Sequence, residues 1–202
     1  LWDGAVTAVG ENPYEYSPAE IYAASRPGTA SVPGLAKRAV MSNQADGLTG
    51  EINSPKLTTI YPPLAQTVFA VAHKVAPYNP DGLRGVFLVI ELLGLGVLLL
   101  ALKQVGRPLI WAALYWLNPI IILTSYNAIH MDVLLVLPVL LALLVVKARP
   151  FLAALALSAA AAIKLWPLLL APVLFRAWLK HPLIYLGVAA LTALLTGLAL
   201  LP

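Results

Sequence analysis

The sequence predicts an all-α polytopic membrane protein carrying a large first loop outside the bilayer, on three observations. Sixty per cent of its 202 residues are hydrophobic and only 11% are charged. From Gly82 onward nearly the whole chain falls into apolar segments of roughly the kind that crosses a bilayer as helix, for which about 20 residues are needed. Residues 1–61, by contrast, are rich in Pro, Gly, Ser, Thr and Asn and hold most of the acids. With no cysteine, disulfides and thiolate chemistry are excluded, and the scattered net charge of +4 gives no basis for nucleic-acid binding.

Taken in order, residues 1–61 read as a folded extramembrane loop, with turn signals such as Asn12-Pro13 and Pro27-Gly28. Residues 62–76 follow, and the stretch Leu64 to Val75 carries Gln66, His73 and Lys74. It is too short and too polar to span, so it is placed flat on the interface. A bundle over 83–202 is then expected from six apolar segments: 83–102, 109–126, 133–146, 151–163, 166–178 and 182–201. Residues 151–178 read either as one helix kinked at Pro167 and Pro172 or as two helices meeting at Lys164. Two are preferred, because a single helix would put Arg176 and Lys180 on the wrong side and leave Lys164 near mid-bilayer. The small-residue run Ser158 to Ala162 suits close packing inside the bundle.

The connections set the orientation. Lys103 and Arg107, Lys147 and Arg149, and Arg176 and Lys180 make short basic loops, which face the cytoplasm. The first loop, the turn 127–132 and Lys164 then share the opposite, extracytoplasmic side. The turn holds the polar run Asn127-Ala-Ile-His130-Met-Asp132 where a tight turn between two apolar segments would suffice. Structural readings stand beside functional ones here. Asp132 fits the N-cap of a helix beginning at Val133. His130 fits an interfacial turn residue, and Lys164 a side chain snorkelling to anionic headgroups. Tyr14, Tyr16 and Tyr61 are interfacial aromatics, and Glu91, inside an apolar helix, calls for a buried partner or a loop contact.

Four pieces in sequence order carry a family resemblance: Trp2-Asp3-Gly4 with Gly10-Glu-Asn-Pro-Tyr14; Ile60-Tyr-Pro-Pro-Leu64; Asn118-Pro119 leading to His130-Met-Asp132; and Ala162-Ile-Lys164-Leu-Trp-Pro167. Together they resemble the integral-membrane glycosyltransferases of the GT-C superfamily, of the polyprenyl-phosphate-mannose-dependent mannosyltransferase type. The resemblance implies a GT-C-like helix bundle. Because Leu1 is not an initiator Met and the last apolar run stops at Leu201-Pro202, the sequence reads as truncated at both ends, the core lacking its first helix.

What the resemblance implies is inverting transfer of a hexose, mannose first, from a polyprenyl-phosphate donor to a lipid-linked or glycan acceptor. The setting is a bacterial plasma membrane, with the active site on its outer face and membrane lipids around it. A sugar hydroxyl is a poor nucleophile and needs a carboxylate to take its proton, and Asp3 is the candidate catalytic base. The departing phosphate gathers negative charge, which Lys164 and His130 suit. Asp132, Asn127 and Tyr61 complete the expected donor-binding set. No cofactor is required by this chemistry. The first loop has no Asp-x-Asp pair to hold a metal-bound nucleotide sugar, although an isolated Asp still leaves a divalent ion open. The alternative is a transporter or lipid flippase with His130, Asp132 and Lys164 lining its path.

Overall fold

The computed structural model describes residues 1–24, 34, 52–176 and 182–197. The Pro27-Gly28 turn, Asp46, Glu51, Lys180 and the end of the 182–201 segment lie outside the described residues. Every regular element among the described residues is helical. The chain divides into two compact units, one of Leu1–Tyr61 and Gln66–Leu83, the other of Pro62–Ala65 and Arg84–Leu201.

The first unit is more regular than its loop-like composition suggests. Two helices of seven residues, α1 (Trp2–Ala8) and α2 (Pro18–Ala24), fold within it. Both have local causes. Helix α1 ends in a Schellman motif: Gly10, at φ 78°, donates to Thr7, and Glu11 donates to Val6. Helix α2 starts at a capping box followed by proline. The Ser17 N–H and hydroxyl both donate to Glu20 Oε2 at 2.8 Å, and the Glu20 N–H returns to Ser17 Oγ at 3.4 Å. Trp2, Ala5, Val6 and Ile21 form the buried core between the two helices.

The box carries a pH prediction. The backbone N–H of Ser17, and then its hydroxyl, hold the Glu20 carboxyl below its ordinary value of 4.5. A lowered folded value means that the box contributes fully above the ordinary value and is lost as pH falls through the lowered one. The Glu20 carboxyl carbon, followed by NMR, is expected to titrate below an unstructured glutamate, and Ser17→Ala to return the midpoint toward ordinary.

Helix α3 (Pro63–Val75) presses against α1 through Phe69. A Cβ on Gly4 would stand 2.4 Å from the Phe69 carbonyl oxygen, whereas one on Gly85 would meet nothing within 4 Å. The atom in the way is backbone, which cannot swing aside as a side chain does. Gly4→Ala is therefore expected to destabilise by about 1–3 kcal/mol despite the better helix propensity of alanine. Gly85→Ala is the control, neutral or stabilising by up to ~1 kcal/mol. Thermal unfolding of both variants in detergent checks the difference.

The second unit holds most of α4 (Pro80–Gln104), the 25-residue helix that is long and apolar enough to cross a membrane. Only 17% of its most apolar window is buried. Gly106, at φ 67°, closes it with a second Schellman motif, in which Gly106 donates to Lys103 and Arg107 to Leu102.

The segment 109–126, expected as one span, is broken. A 3₁₀ turn, Leu109–Trp111, runs into α5 (Ala112–Trp116); then α6 (Pro119–Ile122) runs into a π-helical turn, Leu123–Asn127. The two halves are bent by 49°. Pro119 is the cause, since it lacks an N–H and crowds the carbonyl four residues back. Asn118 caps the new start, its Oδ1 accepting from the Ile120 N–H at 2.9 Å.

A 3₁₀ turn, Met131–Leu135, leads into α7 (Val136–Val145), followed by α8 (Pro150–Ala161). Another 3₁₀ turn, Trp166–Leu170, opens into the short α9 (Ala171–Leu174), and α10 (Pro182–Gly197) follows. Lys164 falls in the break between α8 and that turn. Helix α8 is the centre of packing. Ser158, Ala160, Ala161 and Ala162 are fully buried, and Ser158 Oγ donates to the Val188 carbonyl on α10 at 3.3 Å. At the C-terminal end of α8, the Ala162 carbonyl accepts from the Leu64 N–H at 3.2 Å, so an orphan donor and an orphan acceptor satisfy each other.

Candidate functional site

Asp3 sits in the first turn of α1, half-buried, on the wall of a 330 Å³ cavity in the first unit. Trp2, Asn53, Thr58, Thr59 and Tyr61 also line it, a mixture of aromatic faces and hydroxyl or amide groups. A polarised chain of hydrogen bonds ends on the carboxylate. Gln66 Nε2 donates to Thr59 Oγ1 at 2.8 Å, and that hydroxyl donates to Asp3 Oδ2 at 2.5 Å. Asp3 Oδ1 has no hydrogen bond among the described residues. One oxygen is thus fixed, and the other carries no hydrogen bond from a described residue.

The cavity's rim is tied down through Tyr61. Its carbonyl accepts from the Tyr14 hydroxyl at 2.6 Å, and its ring meets Phe69 edge-on at 5.4 Å. Burial, followed by the nearby Asp3 charge, pushes the Tyr14 hydroxyl above its ordinary value, so it stays a protonated donor. Tyr61, expected with the donor-binding residues, lines the cavity that Asp3 lines. Thr59 and Gln66 are contributors that the sequence reading missed. Gln66 had a signal, an amide within an otherwise apolar turn; Thr59 had none.

A second cavity, of 290 Å³, lies in the second unit, lined by Tyr115, Thr124, Ser125, His130, Asp132 and apolar Ile121, Val133 and Val136. Asp132 and Lys164, 32 residues apart, meet here in a 2.6 Å ion pair with both side chains about half exposed. The capping expectation for Asp132 is corrected by this contact. His130 occupies the N-cap position with extended backbone, Asp132 falls in the first turn, and its carboxylate goes to Lys164 rather than to a helix amide. Asn127 ends the π turn, exposed and outside the cavity lining.

The turn that presents His130 and Asp132 is strained. Ile129 has φ 54°, a left-handed conformation that a β-branched residue adopts at a cost of order 1–3 kcal/mol. Backbone bonds hold it on one side, from Ala128 to Leu123 at 3.0 Å and from His130 to Thr124 at 2.9 Å. Among the described residues no group of three or more His, Asp or Glu could hold a metal ion. What the second cavity offers is one imidazole, one carboxylate and several hydroxyls beside an apolar wall, the carboxylate being paired with the Lys164 ammonium. No protein-family model, no curated protein and no solved structure matches this chain.

Proposed function

We propose that the chain is a polytopic membrane glycosyltransferase. It moves a hexose, mannose first among the candidates, from a polyprenyl-phosphate donor to a lipid-linked or glycan acceptor, with inversion at the anomeric carbon. Asp3 acts as base, taking the acceptor hydroxyl's proton onto its free oxygen as the new glycosidic bond forms and the bond to the lipid phosphate breaks. Lys164 and His130 meet the charge that builds on the departing phosphate. The observation that carries this reading is the Asp3 carboxylate, braced through Oδ2 by Thr59 and with no partner at Oδ1 among the described residues, in a cavity lined with aromatic and hydroxyl groups.

The membrane setting is supported by α4. At about 1.5 Å per residue its 25 residues reach some 37 Å, more than the ~30 Å of a hydrocarbon core. Leu88, Val89, Leu92, Leu93 and Leu100 project from it exposed. So large an apolar surface is at home in lipid rather than in water. The shorter apolar helices at Met131–Val145 and Pro150–Ala161 join it in the proposed bundle.

The test supplies the full-length protein in nanodiscs with polyprenyl-phosphate-mannose and a membrane glycolipid extract, and reads products by mass spectrometry. Hexose added to an acceptor is the expected result. No transfer from any of several polyprenyl-phosphate sugars overturns the reading in favour of transport.

A further inference from the structure

Glu91 has a role that neither cavity explains by itself. It lies inside α4, only 2% exposed, in a helix otherwise apolar enough to cross a membrane. Its two carboxylate oxygens are divided between two tyrosines. Tyr115, on α5, donates to Oε1 at 3.2 Å, and Tyr126, in the π turn, donates to Oε2. A leucine at this position would fill the space without the cost of desolvating a carboxylate. What the carboxylate adds is direction, since it fixes where two aromatic rings point.

Tyr126 is gripped at both ends. Arg84, seven residues before Glu91 and so two turns along the same face of α4, donates through Nε to the Tyr126 carbonyl at 2.8 Å. The backbone end of Tyr126 is thereby held by Arg84 and the hydroxyl end by Glu91. Three residues further on stands Ile129 in its left-handed conformation, and then His130. On the far side the chain is anchored by Met131, Val133 and Leu134, all buried. A strained turn keeps its shape only where its flanks are fixed. The other tyrosine, Tyr115, is itself part of the wall of the cavity that His130 and Asp132 line.

We propose that Glu91 is a positioning residue: through Tyr126 and Tyr115 it braces the strained turn and the cavity wall, and so sets where His130 and Asp132 stand. In its consequence for transfer this rests on the glycosyltransferase reading; the brace itself does not. Glutamine at 91 keeps both hydrogen bonds, because its carbonyl oxygen accepts from one tyrosine and its amide donates to the other hydroxyl oxygen. Leucine keeps neither.

These 202 residues hold no cysteine, so Ala128→Cys, at an exposed position of the turn and with any cysteine elsewhere in the full-length protein replaced, takes a single nitroxide spin label. The full-length labelled protein is studied in nanodiscs with Glu91 wild type or changed to Gln or Leu. Glu91→Leu is expected to raise label mobility and to lower kcat for transfer about tenfold to a hundredfold, with Glu91→Gln restoring both. A folded Glu91→Leu protein with the wild-type spectrum overturns the brace. Should Leu prevent folding, Tyr126→Phe removes one hydroxyl and decides by the same spectrum: raised mobility supports the brace, an unchanged spectrum overturns it. If wild type transfers no sugar, the enzyme reading falls while the spectra still judge the brace.

Discussion

Asp3→Asn is expected to lower sugar transfer by about 10²–10⁴-fold, the usual worth of a positioned general base, while the protein folds as before. Asparagine has the shape of aspartate and still accepts the Thr59 hydroxyl bond now made at 2.5 Å, so the cavity wall is undisturbed. What it lacks is an oxygen basic enough to take the acceptor's proton. Its stability cost is the interaction of a carboxylate with the first turn of α1, about 0.3–1 kcal/mol. Thr59→Val makes the complementary test. It leaves the base but removes the hydroxyl that aims it, so the loss is smaller. Product formation by mass spectrometry, beside circular dichroism of each variant, separates the cases. Equal turnover by wild type and a folded Asp3→Asn protein would strip Asp3 of the base's role and leave the transfer to another group; only the absence of transfer by wild type would make transport the better reading.

The contrast between Asp3 and Glu91 shows what one dimension of sequence can carry. Helix α4 was legible because its apolar composition is continuous and its end is marked by Gly106. Proline at the first helical position likewise marks the starts of α2, α3, α6, α8 and α10. The small-residue run at the end of α8 announced close packing, and four of its five residues, all but Ala159, are buried. The two helices of the first unit were hidden by the polar, turn-rich composition around them, although Ser17-Pro-Ala-Glu20 was a readable capping box. The break at Asn118-Pro119 was equally present as a signal, but the hydropathy of the flanking residues outweighed it.

Site geometry was less legible than site membership, because pairing across distant positions is a tertiary fact. Glu91 stood out as a charge in an apolar helix, yet nothing in the sequence distinguished Tyr115 and Tyr126 from the chain's other tyrosines as its partners. Nor does composition disclose that Thr59 and Gln66 end in one hydrogen-bonded chain at Asp3. The Asp132 assignment illustrates the competition directly. Local rules favour a capping role at a helix start, but the turn sets His130 at the N-cap position and leaves Asp132 in the first turn, where its carboxylate meets an ammonium 32 residues away.

Lys164→Met is expected to lower transfer by about 10²–10³-fold, as loss of a group that stabilises a developing anion does. Stability is expected to change by no more than ~1 kcal/mol, because the ion pair with Asp132 is about half exposed and hydration compensates either partner. Methionine matches the length of the lysine stem, so packing around the break after α8 is kept. A second variant decides whether the pair or the ammonium matters. Asp132→Asn takes the charge out of the same 2.6 Å contact, leaving at most a neutral hydrogen bond, but keeps the cation in place for a phosphate. If the pair were only a structural tie between the two segments, the two substitutions would cost the same in turnover and in thermal stability. If the ammonium meets the leaving phosphate, Lys164→Met costs far more turnover than Asp132→Asn while the melting temperatures stay together. Equal losses in turnover, accompanied by equal drops in melting temperature, would therefore strip Lys164 of its chemical role and leave it as a fastening between the turn at Asp132 and the end of α8.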